Sequence, residues 1–230
     1  MRYGIHATAK LGPNMVLVAL VAFASIASAE LTLNVVDKEP PQAFDASIRE
    51  VLQSKSIQLL DGDQPVYEFW FRKEVPLKKK PESTDDGLKC VAQSTLLAVA
   101  VIKKPQRDYR DDELYADTYT ARFSLQPQDG NHLGTAEYPY FLALVPVKQD
   151  ASLEALATYK ELVKASSLKT ATDHPIIQSL RPAQDVNGDY PRLNQPAPDH
   201  KSVLVKLPAR AGGDSAELVF DLVYEGVSIH

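Results

Sequence analysis

Two short stretches of the chain pair a carboxylate with an imidazole in turn-forming surroundings: Asp129-Gly130-Asn131-His132 and Thr172-Asp173-His174-Pro175. Two histidines and one carboxylate are the smallest protein set that holds a catalytic zinc or an open-sided non-haem iron. His132 and His174, with Asp129 or Asp173, are therefore the candidate ligands of a divalent transition metal. Gly130 would let the backbone turn tightly enough for Asp129 and His132 to meet one ion. The same residues have an ordinary structural reading. Asp-Gly-Asn bonds to its own backbone as a turn, His132 can bond a carbonyl, and His174 is biased to extended geometry by the proline after it. His200, after Pro198-Asp199, is a further candidate.

Aromatic residues beside the first stretch offer a different chemistry. Tyr138 and Tyr140, with Asp129, Asn131 and His132, form a candidate ligand-binding surface, and Tyr190 lies in a second polar loop. Flat rings among polar groups stack on sugars or on a partner's apolar side chains. Packing of Tyr138 and Tyr140 against the core, as edge-strand residues, is the alternative.

Other chemistries lack their motifs. The chain has no Gly-x-Ser-x-Gly elbow, no phosphate-binding Gly-rich loop ending in Gly-Lys-Ser/Thr, and no His-Glu-x-x-His. The acidic pairs Asp61/Asp63, Asp85/Asp86 and Asp111/Asp112 sit in turn-like segments, where a solvated surface explains them. Asp61-Gly62-Asp63 has no downstream Glu at the calcium-loop spacing. One cysteine, Cys90, excludes an intrachain disulfide and any multi-cysteine metal centre, and fits a buried small hydrophobe. A net charge of −5 argues against nucleic acid as a partner, since phosphate neutralisation needs clustered Lys and Arg. The Lys78–Lys80 run is offset by Asp85 and Asp86 and reads as a solvated loop.

The first thirty residues read as an export signal. Arg2 and Lys10 supply positive charge, Met15 to Ile26 form an apolar run, and Ala27-Ser28-Ala29 places small residues before Glu30. About a dozen apolar residues make roughly 18 Å of helix, short of a ~30 Å bilayer core. A leader over 1–29, cleaved near Ala29, is expected, giving a periplasmic or extracellular protein that meets a membrane only if the leader stays uncleaved. Cleavage would remove two cations, no acid and both methionines, leaving no thioether for a copper site.

From Leu31 onward the elements that must position these groups are short strands. Leu31 to Val36 alternates at period two, and Ile57–Leu60 with Val66–Arg72 flanks an Asp61-Gly62 hairpin turn. Ser94–Ile102 is an apolar run of strand length, Tyr119–Leu125 alternates cleanly, and Phe141–Val147 is apolar again. Leu153, Leu156, Ala157, Leu162 and Val163 suit one helix over 150–164, capped by Asp150 or Ser152. Pro175–Leu180, Ser202–Leu207 and Ala216–Tyr224 read as strands, and 183–200, with three prolines, as a long loop. The expected fold is all-β: one antiparallel β-sandwich domain over 30–230 with one short helical insertion.

The run Tyr119 to Thr135, with Tyr138-Pro139-Tyr140-Phe141, resembles a segment of a family of exported bacterial proteins with no assigned activity. The resemblance implies bacterial export and draws attention to Asp129–His132; it carries no substrate or cofactor. Two readings of function follow. One is a non-catalytic binding or structural protein whose loops engage a protein, a glycan or another envelope component. The other is a metal-binding protein or metal-dependent enzyme built on His132 and His174.

Overall fold

Alternating and apolar runs become strands wherever turn residues interrupt them. The computed structural model describes residues 30–127, 136–150, 152–154, 156, 158–168 and 174–226. In chain order the elements begin with β1 (Thr32–Asp37), α1 (Ala46–Val51), β2 (Lys55–Asp61), β3 (Gln64–Phe71), β4 (Val75–Pro76) and β5 (Leu96–Ile102). They continue with β6 (Gln106–Arg107), β7 (Glu113–Leu114), β8 (Asp117–Leu125), β9 (Tyr140–Pro146) and α2 (Tyr159–Ser167). The last four are β10 (Ile177–Pro182), β11 (Arg192–Ala197), β12 (His200–Ala211) and β13 (Asp214–Glu225). The β2–β3 and β12–β13 hairpins turn at Gly62 and Gly212, both at φ +58°, where a side chain would strain the backbone.

Ten strands lie side by side in the order β1-β2-β3-β5-β8-β9-β10-β13-β12-β11, each antiparallel to its neighbours. β4 joins β12 in parallel, pairing Val75 with Ala209. This sheet curls on itself. β3 and β13 stand far apart in that order, yet the Tyr67 and Tyr224 rings lie 6.4 Å apart and Phe71 and Phe220 6.2 Å. The interior is one core drawn from both limbs, including Phe69, Tyr119, Phe123, Leu142, Val205 and Phe220. Cys90 is fully buried there.

All-β is therefore the fold class, but where a two-sheet sandwich with one short helical insertion was expected, the described residues form one large curled sheet, a half-barrel, with a separate two-stranded β6–β7 ladder and the helices α1 and α2. Twist and the bulges in the β2–β3, β5–β8 and β11–β12 pairings let a single sheet enclose its own core.

The outer face is covered as well, which explains why so many strands are apolar on both sides. α1 and the segment before it set Phe44, Ile48 and Leu52 against Trp70, Leu96 and Val99. Trp70 donates its indole N–H to the Lys38 carbonyl at 2.8 Å. α2 sets Leu162 on Ala143 and Val145. It starts at Thr158, whose hydroxyl accepts from the Glu161 amide while the Glu161 carboxylate accepts from the Thr158 amide. The expected cap at Asp150 or Ser152 is thus replaced eight residues on, because Asp150 is used elsewhere.

Asp150 is the counter-ion of Arg122 on the outer face of β8, and both side chains are buried. Arg122 donates from Nε and Nη2 to the two Asp150 oxygens at 2.5 and 2.8 Å, and from Nη1 to the Ser94 carbonyl at 2.8 Å. Nη2 also reaches the Ser152 carbonyl at 2.5 Å, and the Thr120 hydroxyl donates to Asp150. Removing one member leaves the other charge buried and unpaired. Asp150→Ala should cost about 3–5 kcal/mol in urea unfolding, and Arg122→Met/Asp150→Leu distinctly less, since the double change removes both buried charges.

Candidate functional site

Three groups of side chains on this scaffold could do chemistry or bind. The first is a cleft of about 450 Å³ lined by Asp85, Lys89, Tyr138, Pro139, Tyr140, Pro182 and Gln184. β9 supplies Tyr140 as its first residue, and Pro182 ends β10 beside it. The opposite wall is a pair of single 3-10 turns at Thr84–Asp86 and Leu88–Cys90. These turns seat closely on β13: a Cβ at Gly87 would come 3.0 Å from the Leu218 side chain.

The two tyrosines divide the roles that the sequence left open. Tyr140 is 7% exposed, stacks on Phe123 at 6.2 Å and belongs to the core. Burial pushes its hydroxyl above the usual phenol range. Tyr138 is half-buried at the wall, where the Arg181 guanidinium stands 5.1 Å from its ring centre. Arg181 is in turn paired with Glu137 at 2.6 Å, so the ring is held in place from behind. On the other wall Lys89 pairs with Asp86 at 2.5 Å, which holds the half-buried Asp86 carboxyl below its ordinary value. The sequence reading of 78–87 as a solvated loop missed this wall. Its only signal was the Asp-Asp-Gly turn followed by Leu88 and Cys90, both of which are buried.

The second group has the connectivity of a nucleophile triad. Tyr109 Oη lies 3.1 Å from His200 Nε2, and His200 Nδ1 lies 2.8 Å from Asp199 Oδ1. That order of hydroxyl, imidazole and carboxylate activates a serine when the hydroxyl meets a substrate. Here the hydroxyl is a phenol raised above its ordinary value by burial, and its ring packs with Phe141, Ile177 and Val223. A protonated phenol inside that packing is a poor nucleophile. The chain of bonds instead fastens the 104–116 segment to the start of β12. Gly226 lies against the imidazole, where a Cβ would come within 2.7 Å of Cδ2. His200 was noticeable beside Asp199 in the sequence; its tyrosine partner, 91 residues away, was not.

Asp108 secures the same segment from the other end. It is 2% exposed and accepts the amides of Arg110 at 2.8 Å, Asp112 at 3.0 Å and Ile177 at 3.0 Å. Burial outweighs these donors and lifts its carboxyl from 3.8 to about 6.

The third group is the expected metal set. Asp129, Asn131, His132 and Asp173 lie outside the described residues, as does the leader over 1–29. His174 is exposed just before β10. Among the described residues no three His, Cys, Asp or Glu side chains converge to hold a metal ion. Also among these residues, no helix is long and apolar enough to cross a membrane.

Comparison with known protein families, with curated proteins and with solved structures gives no match to this chain.

The Asp108 environment sets a pH dependence. Its carboxyl holds a proton more tightly folded than unfolded, so its contribution is fully present below about 3.8 and is lost as the pH rises through about 6. Denaturant titrations across that window should show wild type losing at most about 3 kcal/mol more than Asp108→Asn, whose amide does not titrate.

Proposed function

We propose that this is an exported, non-catalytic binding protein whose half-barrel presents the Tyr138 cleft to a glycan of the cell envelope. The leader-like segment 1–29 supports export. The two limbs of the sheet face one another across the core as the layers of an antiparallel sandwich would, a rigid frame for a surface site.

The observation that carries the reading is the lining of the cleft. A fixed ring, Tyr138, stands with a carboxylate from Asp85, an amide from Gln184 and an ammonium from Lys89. A sugar presents an apolar C–H face and a rim of hydroxyls. A ring meets the first, and planar or charged polar groups meet the second. About 450 Å³ lies within the range of small-molecule sites. The Arg181–Glu137 pair behind Tyr138 reduces the ordering cost of binding, because the ring is already placed.

An immobilised panel of bacterial cell-wall and capsular oligosaccharides tests this. Wild type should bind at least one glycan, and Tyr138→Ala should weaken that binding by about tenfold or more with little change in melting temperature. Arg181→Met, which frees the ring, should weaken it by a smaller factor. No glycan bound, or equal binding by Tyr138→Ala, would overturn the proposal.

A further inference from the structure

The curled sheet does not close, and its seam has unpaired backbone on one side. β12 pairs with β13 along its whole length on one edge. On the other edge its ladder with β11 ends at Leu204, and its pairing with β4 begins at Ala209. The Leu77 amide donates to the Arg210 carbonyl at 2.8 Å, so Arg210 turns its backbone groups toward the β4 edge. Strand residues alternate the side to which their N–H and C=O point, and the β12–β13 register is unbroken from Ser202 to Ala211. Pro208, Lys206 and Leu204 therefore face the same edge as Arg210. Pro208 fits this placement, because it has no N–H to lose there. The Pro208 C=O accepts from the Val75 N–H, the bond that the parallel Ala209–Val75 pairing requires since Pro76 has no N–H, so the Lys206 N–H and C=O are the groups left facing the gap.

Across the gap stands β1, which among the described residues forms its ladder with β2 alone. Between the two edges lies a cavity of about 380 Å³ lined by inner-face side chains of Val35, Ile57, Phe71, Val205 and Leu207, with Lys55 and Lys206 among the remaining lining residues. Val35 is 43% exposed, although its cross-strand partner Ile57 belongs to the core. The two charged lining residues are both cations. Their counter-ions, Asp37 and Glu217, lie outside the lining, and Lys55 is 62% exposed.

We propose that this seam accepts an extended segment of a partner polypeptide as an added strand, with an apolar side chain in the cavity and acidic residues flanking it. The backbone of the segment bonds to the Lys206 N–H and C=O. One alternate side chain points inward onto Phe71, Val205 and Leu207. Carboxylates on its neighbours meet Lys55 and Lys206. Backbone pairing supplies affinity and the pocket supplies selection, as in other strand-addition sites. The seam shares no lining residue with the Tyr138 cleft, so this proposal stands apart from glycan binding.

The probe is a fluorescein-labelled hexapeptide, Glu-Val-Glu-Phe-Glu-Val with blocked ends, titrated by anisotropy against the full chain. Saturable binding is expected. Methylation of its backbone amides, or replacement of its Glu by Lys, should weaken binding about tenfold or more. Lys206→Pro, which removes the edge-facing N–H, should weaken it similarly. Lys206→Ala keeps that N–H and should cost only a few-fold and lower the salt dependence. Should Lys206→Pro fail to fold, the methylated peptide carries the same test without altering the protein. No saturable binding, equal binding of the methylated peptide, or unchanged binding by a folded Lys206→Pro would each overturn the proposal. So would competition by decanoate together with indifference to peptide methylation, which would mark a small-amphiphile site.

Discussion

The fold depends on one buried ion pair. Arg122 and Asp150 are both shielded from water on the outer face of a central strand, where an unpaired charge would cost several kcal/mol. Their geometry reconciles parts of the chain that local preference would separate. Ser94 sits at φ +68°, a conformation that L residues rarely adopt, and its carbonyl is fixed by Arg122 while its amide donates to Phe123. Asp150 and the Ser152 carbonyl bring the segment after β9 over β8. The chain can then reach Thr158 and begin the helix that covers β9. Glu68 plays a parallel part on β3. Burial alone would raise its carboxyl, but bonds from Lys38, Gln58 and Ser56 hold it below its ordinary value. In both places a buried carboxylate on the outer face gathers segments that carry the covering layer.

That use of polar residues marks the boundary of what the sequence made legible. Strands with a clean alternation or a continuous apolar run were readable, as at Tyr119–Leu125 and Ser94–Ile102, because burial of one or both faces writes itself into the pattern. The Asp61-Gly62 hairpin was readable for the same local reason: φ > 0 at Gly62 needs glycine. Arg122 was readable only as a member of a polar face. Nothing near it announces that Val147, Asp150 and Leu153 will cover that face, since its partner is 28 positions away. β11 was hidden among prolines and polar residues, as an edge strand can be, because edge pairing needs fewer backbone donors and little apolar content. The division between sandwich and curled sheet was likewise beyond local pattern. Both bury alternate residues of antiparallel strands, and only long-range contacts such as Phe71 with Phe220 tell them apart.

The candidate site was legible in part. Tyr138 and Tyr140 stood out as rings in a polar loop, but their unequal burial follows from where β9 begins. Tyr140 opens β9 opposite Leu125 and Leu180, and so turns into the core. Tyr138, two residues earlier, lies before the strand and is held by Arg181 instead. Asp85 comes from the segment that charge counting marked as solvent and Lys89 follows it, yet the buried Leu88 and Cys90 between and beside them pull this backbone onto the sheet.

Where pairing stops also decides where a ligand can approach. A sheet covered on both faces offers little side-chain surface along its middle strands, so accessible features move to its margins. One margin is the end at which β9 and β10 meet the 84–90 turns, and its groups are side chains: a ring, an amide and charges. The other is the lateral seam between β1 and β12, and its groups are chiefly backbone. Side chains distinguish ligands by shape and functional group, whereas a free strand edge recognises extended chain of almost any sequence and relies on a pocket to choose. Exposed edges also invite aggregation, and β1 carries no proline or lysine to blunt it. The approach of β11 toward β1 and the crossing of β4 to β12 shorten the open stretch to a few residues. An edge reduced to that length, over an apolar cavity, is protected against its own copies and still long enough for one short strand.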